Sequence, residues 1–96
     1  MARYRILYSS AYLEDYEALE AFDRAKIRNA VLVLADQAEV ATRNRRPLLD
    51  PVSWCSEATW KLRIEDYRLF YRVDADTVFV LRVKFKGSRT IEEMGS

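Results

Sequence analysis

Apolar and polar positions alternate at the start of the chain. Tyr4, Ile6 and Tyr8 fall on one side of an extended segment and Arg3 and Arg5 on the other, which predicts a strand over residues 4–8. Ser9 or Ser10 then supplies an N-cap, and Glu14 and Asp15 stand near a helix start, where the dipole favours acids. Tyr12, Leu13, Tyr16 and Leu19 form an apolar stripe at helical spacing, and Ile27, Val31, Leu34, Ala35 and Ala38 form a second. A break is expected near Phe22–Asp23, although no Gly or Pro marks it. Two antiparallel helices suit a chain this short better than one long helix.

Residues 42–53 are the only loop-like stretch of any length, bounded by Pro47 and Pro51 and carrying three arginines. Three strand candidates follow, over residues 59–64, 67–73 and 77–85, separated by a tight Glu65-Asp66 turn and an Asp74-Ala75-Asp76 hairpin loop. The expected order is strand, helix, helix, strand, strand, strand. Helices grouped ahead of a run of strands imply an α+β fold, with two antiparallel helices packed on one face of an antiparallel sheet. Residues 1–96 are read as a single domain.

Composition narrows the chemistry. At 96 residues, half of them hydrophobic and 32% charged, the chain is expected to bury a core without staples. A lone cysteine, Cys55, has no internal disulfide partner, and the start lacks the apolar stretch of a signal peptide. The longest clean apolar run, residues 30–35, is far too short to span a membrane. A cytoplasmic protein without a membrane partner is therefore expected. There is no histidine, which removes Ser-His-Asp and Cys-His centres and histidine metal sites, and leaves Cys55 without an activating base. Two glycines, at Gly87 and Gly95, make no phosphate-cradling loop. No metal and no cofactor is expected. What remains for chemistry is Arg, Lys, Tyr and carboxylates.

Net charge is only +1, but it is unevenly spread. Acids crowd the helical segment, whereas bases dominate from Arg43 onward, so a near-neutral total can hide a basic face. Pairing makes this concrete. A three-residue loop at 74–76 sets Tyr71 opposite Phe79, Leu69 opposite Leu81 and Arg68 opposite Arg82. A two-residue turn at 65–66 sets Leu62 opposite Leu69 and Arg63 opposite Arg68. One face then collects Trp60, Leu62, Ile64, Tyr67, Leu69, Tyr71, Phe79, Leu81 and Val83 beneath the helices. The other aligns Arg63, Arg68 and Arg82 across three strands, with Lys61, Phe70 and Val80 beside them. Facing like charges cost roughly 0.2–1 kcal/mol per pair. A bound polyanion reverses that sign; a solvated face whose long side chains splay apart is the plainer alternative. Arg43, Arg45 and Arg46 extend the patch or simply decorate a loop. Trp60 falls on the core face, and Trp54 is open between packing and stacking on a base.

The stretch WKLRIEDYRLFYRVD (residues 60–74), followed by TVFVLRV (residues 77–83), resembles the RelE/ParE toxins of type II toxin–antitoxin modules. Their pattern is roughly L-R-x-G-D-Y-R-[VL]-x-Y-x-[VI]-D, then an apolar strand ending in a basic segment. TRNRRPL (residues 42–48) and RTIEEM (residues 89–94) look like a RelE-like sublineage. The resemblance spans nearly the whole chain. It implies a microbial-RNase-like fold, a cognate antitoxin protein as partner and, in RelE-like members, cleavage of messenger RNA in the ribosomal A site. Carried over by position, the catalytic group becomes Lys61, Arg63, Arg68 and Lys86, with Arg43, Arg45, Arg46, Arg82 and Lys84 as RNA-binding candidates. The chain departs from the pattern twice: Glu65 stands where Gly is common, and no tyrosine or histidine lies near Glu92. The expected function is a translation-inhibiting mRNA endoribonuclease acting on mRNA and the ribosome. The alternatives are a ParE-like inhibitor of DNA gyrase, or a non-catalytic member that only binds a partner.

Overall fold

The computed structural model describes residues 3–95. Strand β1 (Arg5–Tyr8) leads into helix α1 (Ser10–Glu17) and helix α2 (Ala21–Gln37). Then come β2 (Arg45–Pro47), β3 (Trp60–Ile64), β4 (Tyr67–Asp74), β5 (Thr77–Phe85) and a short 3₁₀ turn, Glu92–Gly95. The strands form one five-stranded sheet in the order β1-β5-β4-β3-β2. Two helices on one face of a mainly antiparallel sheet is the expected α+β architecture, with two differences. β1 lies parallel to β5 at the edge of the sheet, while the two-helix connection carries the chain across to β2 at the opposite edge. A fifth strand, β2, forms inside the stretch expected to be loop, where Arg45 pairs Leu62 and Arg46 pairs Lys61.

Local chemistry explains the helix boundaries. The Ser9 side chain accepts from the Tyr12 amide at 3.0 Å, capping α1. The break falls at residues 18–20, ahead of the expected Phe22–Asp23. Three hydrogen bonds hold it: Tyr16 O–H donates to the Arg24 carbonyl, and Arg24 Nη1 donates to the Glu17 and Leu19 carbonyls. Arg24 thus satisfies helix-end carbonyls where a glycine would more commonly end the helix. Ile27, Val31 and Leu34 of α2, with Ala38 just past its end, are buried, as the stripe required.

The tight turn behaves as expected, with Ile64 opposite Tyr67, Leu62 opposite Leu69 and Arg63 opposite Arg68. Glu65 takes a positive φ of 53°, the left-handed conformation that makes Gly common at this turn. The next hairpin does not follow expectation. Ala75 also adopts a positive φ, 54°, so Ala75 and Asp76 suffice as a two-residue loop and Asp74 pairs Thr77. Tyr71 is then opposite Val80, but Phe70 is opposite Arg82, and the register shift leaves Leu81 as an extra residue.

That bulge re-sorts the faces. Val78, Val80 and Val83, rather than Phe79 and Leu81, join Leu62, Leu69 and Tyr71 beneath the helices. Leu69 is fully buried as expected but faces Val83, not Leu81. Leu81 instead packs on the opposite face, in a second small core built on Phe70, Val52, Cys55, Ala58 and Met94. The segment between β2 and β3 and the C-terminal turn thus cover part of the face on which the basic row was expected. No helix among the described residues is long and apolar enough to cross a membrane.

Candidate nucleic-acid interface

The basic row exists, in altered composition. Arg63 pairs Arg68 and Arg68 pairs Lys84, so Lys84 occupies the position expected for Arg82. Beside it runs Arg46, Lys61, Phe70 and Arg82. The bulge at Leu81 moves Arg82 one row along. Neither flank shows it in sequence, since Val78 to Leu81 are all apolar and alternation there is silent.

Lys61 and Arg68 are the interior of the cluster. Partial burial lowers the Lys61 pKa, and the charges of Arg68, Lys86 and Arg46 lower it further. Burial likewise lowers that of Arg68, with Arg63 adding to it and Asp66 opposing. Arg68 Nη1 donates to the Glu65 and Tyr67 carbonyls, both at 2.8 Å, which pins the guanidinium over the tight turn. Two of its five N–H groups are so engaged, and the others remain for an anion. The Lys86 amide donates to the Asp66 carbonyl at 2.7 Å, tying the end of β5 to the same turn. Arg43 and Arg63 line a concavity of about 300 Å³ with Asn44 and Glu65. Arg43 and Arg46 are exposed.

Two candidates are spent on structure instead. Arg45 sits on the helix face, because its partner Leu62 does, and only 5% of it is exposed. Its Nε donates to the Val40 carbonyl and its Nη2 to Gln37 Oε1, anchoring the chain just past α2. Arg82 is held by Asp15 of α1 at 2.7 and 3.1 Å. Lys84 Nζ reaches the Met94 carbonyl at 3.3 Å and, like Arg82, lies 5.6 Å from the Trp54 ring. Trp54 itself donates through Nε1 to the Ile91 carbonyl and packs edge-on against Phe70. It is a packing residue, and Trp60 stacks on Tyr71 on the helix face.

Neither nearby tyrosine offers a ready proton acceptor. Tyr67 O–H donates to Asp23 at 3.0 Å and Tyr71 O–H to the Ala38 carbonyl at 2.6 Å, and burial raises the pKa of both. Glu92 accepts from the Ser53 hydroxyl and, at 3.2 Å, from the Ser53 amide, which keeps its carboxyl ionised by lowering its pKa. The arrangement therefore supplies charge stabilisation from fixed cations, with Lys61, its pKa lowered, placed among them.

The family described as "ParE toxin of type II toxin-antitoxin system, parDE" matches residues 6–87. No curated protein matches the sequence. Among solved structures, the chain is similar to the archaeal RelE–RelB complex of Pyrococcus horikoshii OT3. That match has 16% identity and a TM-score of 0.70, and covers 90% of this chain and 98% of that one. The YoeB dimer of Staphylococcus aureus matches at 21% identity and a TM-score of 0.65, over 88% of this chain and 98% of the other. The toxin–antitoxin complex RelBE2 of Mycobacterium tuberculosis matches at 28% identity and 0.58, over 86% and 98%. With the family match spanning most of the chain and the same fold in these neighbours, the protein belongs to the ParE toxin family of type II toxin–antitoxin systems, within the RelE/ParE superfamily.

Proposed function

We propose that the protein is a toxin that cleaves messenger RNA on the ribosome, with Arg68, Arg63, Lys61 and Lys86 around the scissile phosphate. The observation that carries this is the line of Arg63, Arg68 and Lys84 across three strands, flanked by Lys61. Such a line opposes folding unless an anion shares it. In-line attack by a 2′-hydroxyl needs a proton acceptor, a donor for the leaving oxygen and stabilisation of the charge between them. Guanidinium groups grip phosphate in two-point fashion and stay charged, which suits Arg68 and Arg63 to the last task. Lys61, with its lowered pKa, suits proton transfer better than an ordinary lysine. Lys86 adds charge next to it. A cognate antitoxin, bringing carboxylates to the same cations, is the natural partner, and the RelE–RelB and RelBE2 neighbours are themselves toxin–antitoxin complexes.

The match to the ParE family favours a second reading, inhibition of DNA gyrase without RNA chemistry. One experiment separates them. Messenger RNA cleavage is followed on programmed ribosomes with the wild type, Arg68→Ala and Lys61→Ala, in parallel with gyrase supercoiling. Cleavage lost in Arg68→Ala and reduced in Lys61→Ala is expected. Undiminished cleavage in Arg68→Ala refutes the site, and intact RNA with inhibited gyrase refutes the reaction.

A further inference from the structure

Beside Lys61 opens a cleft of about 360 Å³, within the usual range of small-molecule sites of about 300–1,000 Å³. Phosphate binding alone does not explain its lining. Arg46 and Lys61 supply the cationic part, and Pro51, Val52 and Ile91 an apolar part. Leu49 also lines it and is 97% exposed, so its side chain covers none of the protein's own core. Glu92 brings a carboxylate that Ser53 holds in place. A carboxylate offers about four lone-pair sites, of which Ser53 takes two.

Lys61 belongs both to this cleft and to the cation cluster of Arg68 and Lys86. A strand whose phosphate rests on that cluster lies beside the cleft, because Lys61 borders both. Apolar side chains suit the two faces of a base, and a carboxylate, which only accepts, suits an edge that donates. Adenine, cytosine and guanine each present an exocyclic amine on the Watson–Crick edge. Uracil presents carbonyl oxygens on both sides of its single N–H, and those oxygens repel a carboxylate.

We propose that this cleft receives one base of the bound RNA strand, and that Glu92 selects amine-bearing bases over uracil. The inference rests on the RNA reading above and adds a specificity determinant to it. The test measures binding of the full chain to non-cleavable 2′-O-methyl tetranucleotides of uniform A, C or U, by fluorescence anisotropy at fixed salt. A and C strands are expected to bind about tenfold tighter than U, the usual discrimination of a good base contact. Glu92→Gln should bring the three together. Leu49→Ser, which leaves the core untouched, should weaken A and C strands several-fold.

Equal affinity for all three, with salt-sensitive binding retained, overturns the base site and leaves the phosphate reading standing. No binding of any strand overturns the base site, and the cleavage assay on programmed ribosomes then decides the RNA reading on its own. Leu49→Ser that spares RNA binding but loosens a co-expressed antitoxin reassigns the cleft to protein contact.

Discussion

The Asp15 carboxylate grips Arg82 in two-point fashion, Oδ2 accepting from Nε at 2.7 Å and Oδ1 from Nη2 at 3.1 Å, while Oδ2 also accepts from the Val83 amide at 3.2 Å. A side chain of α1 thus closes on the bulged stretch of β5, satisfying an amide that the irregular ladder exposes. Asp15→Ala should lower stability by about 1.5–3 kcal/mol, the range for hydrogen bonds to charged groups. Chemical denaturation of Asp15→Ala, Arg82→Ala and the double variant should show the two losses strongly non-additive. Simple additivity contradicts the pairing.

A companion expectation concerns binding. Because Arg82 is committed to Asp15, Arg82→Ala should leave the salt dependence of RNA affinity nearly unchanged. Arg68→Ala and Arg63→Ala should each flatten it by about one unit at most. The slopes of log affinity against log salt decide this, and equal flattening in all three places Arg82 at the phosphate after all.

Leu69→Ala should cost about 2–5 kcal/mol, because Leu69 is fully buried opposite Val83 beneath the helices. Urea melts read it directly. Leu81→Ala should loosen the other side of the sheet, around Phe70 and Trp54, and show in the tryptophan emission.

Ala75 carries a left-handed backbone that a side chain resists by roughly 1–2 kcal/mol. Part of the gain from Ala75→Gly is returned to the more flexible unfolded chain, so a net stabilisation of about 0.5 kcal/mol is expected. Glu65→Gly relieves the same strain but deletes the 2.9 Å ion pair to Lys26, and should gain less. Melting midpoints of the two variants test the order.

Lys61 predicts a pH signature. Its folded pKa lies below the ordinary lysine value of 10.5, so its charge is lost before that of a solvated lysine as pH rises. Affinity for non-cleavable RNA should therefore fall at a pH below 10.5, and Arg68→Ala, by removing a repelling neighbour, should move the fall upward. For folding the sign is opposite to that of a salt-bridged lysine. The unfolded chain holds the proton more tightly, so stability rises with pH between the folded and unfolded values. Lys61→Met should abolish that rise.

Wherever apolar and polar residues alternate, the sequence disclosed the faces. Leu62, Leu69 and Arg63 opposite Arg68 were legible because a two-residue turn and strict alternation agree. β5 was not, since four consecutive apolar residues suit either face and the bulge hides among them. β2 was hidden for a different reason: three residues, two of them arginine, carry no strand pattern, and Arg45 looks solvated until its pairing with Leu62 turns it inward. Motif position brought out Lys61, Arg63, Arg68 and Lys86 together, whereas Asp15 and Glu92 act through contacts 67 and 39 residues away in the chain, which no spacing rule reaches.

The extra residue at Leu81 has a consequence for how this strand is compared with any other. Leu81 and Arg82 are consecutive in the chain yet lie on one face, so β5 changes reading frame halfway along. Its first half offers Phe79 and Leu81 to the face where its second half offers Arg82 and Lys84. Aligned residue for residue from its first half with a strand that lacks the bulge, those cations fall on core positions and Val83 on the surface. Deleting Leu81 would remove that frame change: Val80, Arg82, Val83 and Lys84 would alternate regularly, with the valines still under the helices, and only the Leu81 contacts in the second core would be lost.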